Sequence, residues 1–290
     1  MRVGSVTLRN PVMTASGTAG YGTELGAYFD LAELGAVVVK SLAAFEWGGN
    51  PPPRLHPTPS GMLNAVGLQG PGVAHWLDHV LPGLLRTGAT VVASIWGRTV
   101  EEFARAADLL AAAPPEVVAV EVNLSCPNLD HGAAIFAHDA DESAAVVAAT
   151  AGCDRPRWAK LSPNTDRVVD VAGAVTAAGA DAVTCVNTLL GLSFDPQTGR
   201  PTLGGGGGGL SGRAIHPVAV RIVHDVHAAL PDVPIIGVGG VATGWDAAEL
   251  VLAGATAVQV GTATFADPRA PRIVLRELVA WQDDRGTTVT

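Results

Sequence analysis

Two lysines stand out among the side chains of this chain that could take part in chemistry. Lys40 and Lys160 are its only lysines, against 16 arginines. Each ends a short apolar run that is typical of a buried parallel strand. The carboxyl end of such a strand faces the ligand site in open sheets and barrels, and arginine cannot replace a compact ammonium beside a reacting atom. The alternative is two surface lysines whose aliphatic stems cover apolar neighbours.

Asparagines end several other predicted strands. Asn123, Asn128 and Asn187 follow strands, and Asn64 lies in a long loop over the same face. Because asparagine offers a donor and an acceptor in one plane, such a group suits a ligand with cyclic amide or imide edges, for example a pyrimidine. The alternative is a set of turn asparagines, which are frequent.

Cys126 follows the fourth predicted strand and precedes a proline. A free thiol has a pKa of about 8.5, close enough to neutrality for proton abstraction. The residue types alone leave Cys126 as a nucleophile, a base or a bystander. Cys185, inside a predicted strand, is expected to be a small buried hydrophobe.

Glycines end the last two predicted strands, at Gly239-Gly240 and at Gly261-Thr262. Barrels commonly bind phosphate after strands 7 and 8, where backbone N–H groups can approach an anion closely. The alternative is a dinucleotide fingerprint over residues 237–242. That motif requires an acidic residue at the end of the next strand, and none is found there.

The elements that must position these residues alternate from end to end. Apolar runs predict strands at 11–15, 36–40, 90–95, 117–122, 157–161, 181–186, 234–238 and 257–261. Helical patterns fill 24–34, 73–86, 99–113, 139–151, 165–178, 216–230, 244–253 and 270–282, with N-caps expected at Asp139, Thr165 and Thr243. We therefore predict a single α/β domain over residues 1–290, a (β/α)₈ TIM barrel, with a doubly wound sheet as the alternative. Residues 3–9 are expected to form a short strand pair at the bottom of the barrel.

Two connections are too long for ordinary loops between a strand and a helix. They are residues 41–72 and residues 187–214, and the second contains the glycine run 204–209. Both follow strands, so we expect both on the catalytic face. The glycines are interpreted either as a flexible linker or as a mobile or phosphate-adjacent loop.

The composition narrows the class of protein. Apolar residues make up 48% of the chain, charged residues make up 16%, and the net charge is −9. No basic stripe indicates a nucleic-acid partner, and no apolar stretch is long enough to span a bilayer. The start of the chain lacks the apolar region of a signal peptide, and three cysteines are too few for a disulfide framework. These features favour a soluble cytoplasmic enzyme, and we expect no metal site because His75 and His79 fit a solvated helix face.

The motifs resemble those of the class 1 dihydroorotate dehydrogenases. The segment Asn123-Leu-Ser-Cys126-Pro-Asn128 is similar to the catalytic segment of that class. The stretches 49–54 and 61–69, and Asn128-Leu-Asp-His-Gly132, resemble the 1B branch. The resemblance extends from about Val6 to Phe265 and covers several motifs in order.

The resemblance implies a barrel that holds FMN and oxidises dihydroorotate to orotate in pyrimidine biosynthesis. Cys126 would be the base that takes a proton from C5 while a hydride leaves C6 for the flavin. The implied flavin contacts are Ser16, Lys40, Ser41, Ser94, Asn123, Lys160, Val186, Gly212, Gly239, Gly240, Gly261 and Thr262. The implied contacts of the pyrimidine and its carboxylate are Lys40, Asn64, Ala65, Val66, Gly67, Leu68, Asn123, Asn128, Asn187 and Thr188. Ser94 departs from the family, which often has asparagine there.

The 1B branch further implies an electron-transfer subunit with FAD and an iron–sulfur cluster that passes electrons to NAD. We also expect a homodimer, since two-fold dimers are the commonest assembly. Other functions stay open at this stage. They are a flavin barrel like dihydropyrimidine dehydrogenase, an aldolase-type barrel with a Schiff-base lysine, and a non-catalytic binding subunit.

Overall fold

The computed structural model describes residues 1–125, 127–128 and 134–286, and of residues 127, 128 and 134 only the backbone. Its strands are β1 Arg2–Val3, β2 Val6–Thr7, β3 Val12–Thr14, β4 Val37–Val38, β5 Leu55–Thr58, β6 Gly61–Asn64, β7 Val91–Ile95, β8 Val117–Asn123, β9 Pro127–Asn128, β10 Ala134–Ile135, β11 Arg157–Lys160, β12 Ala182–Cys185, β13 Leu189–Gly191, β14 Gly208–Ser211, β15 Ile235–Val238 and β16 Ala257–Val260. Its α-helices are α1 Val73–His75, α2 Leu81–Leu85, α3 Val100–Leu110, α4 Ala140–Ala149, α5 Val168–Ala177, α6 His216–Ala229, α7 Gly244–Leu252, α8 Ala263–Ala266 and α9 Ala270–Arg285, and a π-helical stretch, Trp76–Val80, joins α1 to α2.

Eight parallel strands form a barrel in the order β3-β16-β15-β12-β11-β8-β7-β4. A parallel bridge between Met13 and Ala36 joins the two outer strands of this sheet, and the Thr14 hydroxyl bonds the backbone of Val38. All eight predicted strands are therefore present, and the expected (β/α)₈ architecture is confirmed. The strands are nearly continuous apolar runs because helices cover the outer face and side chains fill the interior.

The bottom of the barrel is closed by the hairpin of β1 and β2. Val3, Val6 and Leu8 are buried and pack in one cluster with the lowest interior side chains of the barrel, among them Val92 and Trp158. This arrangement confirms the strand pair that was predicted over residues 3–9.

The predicted helix over residues 24–34 is wrong. Two short 3₁₀ turns, Glu24–Ala27 and Leu31–Glu33, occupy this segment. Asp30 separates them in an extended conformation, and its side chain accepts a hydrogen bond from the backbone of Ala32. An aspartate that bonds its own backbone competes with a helix, and here it starts a new turn instead of continuing the old one.

The helix caps agree with expectation at two of three positions. Asp139 and Thr243 cap α4 and α7, and Thr243 forms a reciprocal capping box with Asp246. Thr165 is not an N-cap. Its hydroxyl accepts from the backbone of Arg167 in a turn, and α5 starts at Val168.

The two long connections pair with each other. Strands β5 and β6 belong to residues 41–72, β13 and β14 belong to residues 187–214, and together they form a four-stranded antiparallel sheet in the order β13-β14-β6-β5. Gly209 lies opposite both Asn64 and Leu190 in this sheet. The last two glycines of the run, Gly208 and Gly209, thus belong to a central strand of a sheet rather than to an unpaired linker. Among the helices that the structure describes, none is long and apolar enough to cross a membrane.

Candidate active site

A cavity of about 410 Å³ opens at the carboxyl ends of the barrel strands. Its walls are the strand ends and the two long connections, which confirms that both lie on the face where barrels carry their active sites. The volume falls within the range of small-molecule pockets, about 300–1,000 Å³. Both lysines line this cavity; Lys160 is buried and Lys40 is half-buried.

The cavity brings together most of the predicted site. The predicted residues that line it are Ser16, Lys40, Ser41, Asn64, Ala65, Val66, Gly67, Leu68, Asn123, Lys160, Val186, Asn187, Thr188, Gly212, Gly239, Gly240, Gly261 and Thr262. The side chains of two further predicted residues are not described by the structure. Cys126 lies outside the described residues, and of Asn128 the structure describes only the backbone, in β9.

Lys160 is a buried cation on the cavity wall. Its side chain is 5% exposed, and its Nζ donates to the Ser16 hydroxyl over 3.2 Å. The carboxylate of Glu121, which is fully buried, lies 3.6 Å from the same Nζ. A buried ammonium with a nearby counter-charge is a fixed source of positive potential, which acts strongly in a site that excludes water.

Four side chains, Asn187, Asn123, Ser41 and Ser94, form a row of hydrogen bonds across the strand ends, here called the amide row. Asn187 Nδ2 donates to Asn123 Oδ1 over 3.1 Å, and Asn123 Nδ2 donates to the Ser41 hydroxyl over 3.4 Å. The Ser41 hydroxyl pairs with that of Ser94 over 2.9 Å. The row fixes which edge of each amide faces the cavity, as recognition of a planar heterocycle requires.

Ser94 is set back from the cavity. It is fully buried behind Ser41 and, within the described part of the chain, is not among the lining residues. Its expected direct contact with a flavin is therefore not supported by the geometry. The short Ser94 hydroxyl instead pairs with the Ser41 hydroxyl.

Three glycines form a second feature, here called the glycine cradle. Gly212, Gly239 and Gly240 have φ values of 90°, 143° and 70°. A Cβ on Gly240 would lie 2.9 Å from the Gly212 carbonyl oxygen and 2.7 Å from the His216 Cβ. His216 Nδ1 lies 2.7 Å from the Gly239 carbonyl and fixes the peptide. The three glycines thus pack closely against neighbouring protein atoms and present only backbone to the cavity, which suits a phosphate.

The loop 64–68 is held by side-chain hydrogen bonds from Trp47 and Asn50. Trp47 Nε1 donates to the Gly67 carbonyl over 3.0 Å, and Asn50 Nδ2 donates to the Ala65 carbonyl over 3.1 Å. Leu68 has a φ of 60°, which is unusual for a side chain of its size. Strained backbone that its surroundings hold in place is a common feature of ligand-binding segments.

Asn164 is a site residue that the sequence analysis missed. Its Nδ2 donates to the Thr188 carbonyl over 2.9 Å, and its Oδ1 accepts from the Leu190 backbone over 2.8 Å. It therefore ties the start of the long connection 187–214 to the end of β11. The available signal was its position four residues after Lys160, since polar residues that follow a barrel strand lie on the catalytic face.

Comparisons with known proteins agree with this geometry. The family model described as "Dihydroorotate dehydrogenase" matches residues 1–281. The chain belongs to the dihydroorotate dehydrogenase family. It is accordingly an oxidoreductase of pyrimidine biosynthesis from a flavin-dependent family, and the expected class 1B assignment is confirmed by the relatives described next.

The curated relatives are similar along nearly their whole length. A protein of Trichlorobacter lovleyi, named "Dihydroorotate dehydrogenase B (NAD(+)), catalytic subunit", is 46% identical over 99% of this chain and 94% of that protein. Proteins with the same name in Desulforudis audaxviator and Geobacillus kaustophilus are 46% and 43% identical over 98% and 97% of this chain. They cover 92% and 90% of those proteins.

A solved structure supports the fold independently. The crystal structure of a dihydroorotate dehydrogenase from Eimeria tenella, in complex with ferulenol, superposes with a TM-score of 0.78. The match covers 98% of this chain and 84% of that one at 21% identity. At this identity the likeness concerns the barrel itself.

Glycine is required at some positions of the run 204–209 and not at others. We expect Gly209→Ala to lower the free energy of unfolding by about 1–3 kcal/mol, the usual cost of overpacking. The reason is that the new Cβ would overlap the Thr188 hydroxyl and come within 2.7 Å of the Thr188 Cβ. Gly205→Ala is the matched control, because its Cβ would come no closer than 3.4 Å to Asn50. Urea denaturation of both variants measures the difference, and equal losses would contradict this account of the run.

Proposed function

We propose that the chain binds FMN and uses it to oxidise dihydroorotate to orotate, as a single barrel domain over residues 1–290. The observation that carries the proposal is the buried Lys160 ammonium, which shares one cavity with the amide row and the glycine cradle. These are three kinds of group that a flavin phosphate and a pyrimidine would need. A cation suits charge that develops during the reaction, amides suit a heterocycle, and close backbone suits a phosphate.

The cavity residues fit FMN. The glycine cradle, together with Gly261 and Thr262, lines the cavity with backbone and one small side chain, which suits the phosphate of FMN. The other residues proposed to hold the cofactor are Ser16, Lys40, Ser41, Asn123, Lys160 and Val186. When bound, FMN accepts the hydride that dihydroorotate gives up. Lys160 supplies a fixed positive charge, and the buried position of its Nζ keeps that charge from being screened by water.

The substrate is proposed to bind between the amide row and the loop 64–68. Lys40 and the backbone of residues 65–68 would hold the carboxylate, and Asn64, Asn123, Asn128, Asn187 and Thr188 would hold the ring. Asn64 Nδ2 donates to the Gly209 carbonyl over 3.2 Å, which orients it toward the substrate side of the sheet. Such pre-positioned groups lower the entropy cost of reaching the reactive geometry.

We assign proton abstraction from the substrate to Cys126. The support from the structure concerns the other thiols. Burial raises the pKa of Cys153 and raises that of Cys185 to about 12. Neither thiol would ionise near neutrality, and a thiolate is the form that acts as a base. The remaining cysteine comes three residues after Asn123, the last residue of β8, in the sequence.

We further propose a partner subunit that carries FAD and an iron–sulfur cluster and passes the electrons to NAD. The names of the relatives include both NAD(+) and a catalytic subunit. Cluster sites use four thiolates, whereas this chain has three scattered cysteines. A homodimer and a cytoplasmic location complete the proposal. The free, buried thiols of Cys153 and Cys185 are typical of a reducing compartment.

One titration tests this function. The purified chain, mixed with excess FMN and freed of unbound cofactor, should be yellow and should lose its visible absorption on anaerobic addition of dihydroorotate. NAD should then give no NADH with the pure chain and should give NADH when extract from the source cells is added. A folded chain that retains no FMN would overturn the proposal. NADH formation by the pure chain would refute the need for a partner, and a borohydride-trapped adduct at Lys160 would favour the aldolase-type chemistry instead.

A further inference from the structure

Glu121 is a buried carboxylate that the proposed reaction does not use. It lies in β8, is fully buried, and within the described residues is not among those that line the cavity. Its Oε2 accepts from Gln259 Nε2 over 2.7 Å and from the Thr184 hydroxyl over 3.2 Å. Its Oε1 has no hydrogen-bond partner among the described residues and lies 3.6 Å from Lys160 Nζ. One oxygen is therefore anchored, and the other faces the ammonium.

The strand register sets this arrangement. Glu121 pairs with Trp158 on β11, and Lys160 pairs with Asn123, two residues further along both strands. Because side chains two residues apart share a face, Glu121 and Asn123 both point into the barrel. The carboxylate thus belongs to the interior layer directly below the one that carries Lys160 and the amide row.

Stability alone does not explain a buried pair of this kind. Removing a carboxylate and an ammonium from water costs free energy, and well-packed apolar residues in their place are often neutral or stabilising. The layers around Glu121 are otherwise rich in aliphatic and aromatic side chains, which offer that simpler solution. Keeping the pair makes physical sense where the charge on Lys160 serves the site above it.

We propose that Glu121 is a positioning residue for Lys160: it anchors the positive charge of Lys160 at the cavity wall, while Thr184 and Gln259 hold the carboxylate. The separation of 3.6 Å matters because it supplies counter-charge without a hydrogen bond. The ammonium donates to Ser16 and keeps N–H groups for a ligand. The inference rests on the proposed function, since the ligand that would feel this charge is the flavin.

The test is a double-mutant cycle read by the midpoint potential of the bound flavin. Glu121→Gln keeps the shape of the side chain but removes the counter-charge, so the buried Lys160 amine should no longer present a fixed positive charge to the flavin. The potential should therefore fall to the value of Lys160→Met, by about tenfold in the reduction equilibrium, or ~30 mV for a two-electron couple. The double variant should match Lys160→Met, because Glu121 acts only through Lys160.

The controls separate charge from structure. Thr184→Val removes one hydrogen bond from the same carboxylate but no charge, and it should leave the potential near that of the wild type. A rise in potential in Glu121→Gln would overturn the proposal, because it would mean that a negative charge was lost while Lys160 stayed charged. The proposal would also be overturned if Glu121→Gln lowered the flavin potential equally in the wild-type chain and in Lys160→Met.

Thermal unfolding of the flavin-free variants makes the test independent of cofactor binding. Glu121→Gln should unfold at a lower temperature than the double variant, since only the single change leaves the buried Lys160 amine without its carboxylate partner. If the single variant does not fold and the double variant does, the pairing is supported; if neither folds, Glu121 is a structural residue and the proposal fails. A wild-type chain that binds no FMN would refute the proposed function instead, and these unfolding temperatures would still test the pair.

Discussion

Replacing Cys126 with alanine is expected to slow the reduction of bound flavin by dihydroorotate by about 10²–10⁴-fold, the usual contribution of a general base. The physical reason is that the alanine variant has no group to take the proton from the substrate as the hydride leaves. FMN binding and orotate binding should be nearly unchanged, since the proposed base contributes to the reaction step rather than to the cavity walls. Stopped-flow spectroscopy under anaerobic conditions measures the reduction rate.

Cys153→Ala provides the matched control for that experiment. It also removes a thiol, but this thiol is fully buried and its pKa is raised by burial. Its flavin-reduction rate should equal that of the wild type even if the protein loses stability. A normal rate in Cys126→Ala would refute the role of Cys126 as the base, and a slow rate in Cys153→Ala would show that loss of any thiol perturbs the enzyme.

The barrel strands could be predicted from the sequence because the pattern that marks each strand lies within the strand and its immediate neighbours. Apolar runs bounded by glycine and proline placed all eight barrel strands to within two residues of their observed ends. The helix expected over residues 24–34 failed at Asp30, where a single side-chain bond to the backbone outweighs a periodic pattern. Such a bond depends on one conformation and is not visible in periodicity.

Part of the candidate site could be predicted once the barrel strands were placed. Barrel topology brings all strand ends to one mouth, so residues such as Lys40 and Asn187 could be placed together without knowledge of any contact. The sheet over the mouth could not be predicted, because its pairing joins residues as distant as Asn64 and Gly209, which are 145 positions apart. Loop pairing over such distances leaves no periodic signal in either segment.

The contact of Ser94 and the hydrogen bonds of Glu121 could not be predicted from the sequence for a different reason. Both concern side chains from several strands that meet inside the barrel. Glu121 bonds Thr184 and Gln259, and its nearest cation is Lys160. A lone acidic residue in an apolar strand signals that a partner exists, but the sequence does not say which strand supplies it. Only the register between strands identifies the partner.

Lys160→Arg is expected to slow flavin reduction by about 10²–10³-fold, although it preserves the charge. The size of the effect is that of removing one pre-positioned electrostatic group from an active site. The Lys160 side chain is 5% exposed, lies against Glu121 and donates to Ser16. The guanidinium of arginine is larger and planar, so its N–H groups would not occupy the position of the Lys160 ammonium. Arginine can still pair with Glu121, and the variant should therefore fold and be suitable for stopped-flow measurement.

The matched control for this substitution lies at the other end of the same strand. Arg157 starts β11, and its guanidinium donates to the Val147 carbonyl over 2.8 Å, outside the cavity. Arg157→Lys exchanges the same two residue types in the opposite direction and should leave the reduction rate unchanged. If Lys160→Arg reduced its flavin as fast as the wild type, the site would need only a positive charge at that position. The scarcity of lysine in this chain would then say nothing about its chemistry. If instead Lys160→Arg reduces its flavin slowly while Arg157→Lys reduces it at the normal rate, the site requires the compact shape of a lysine ammonium at position 160.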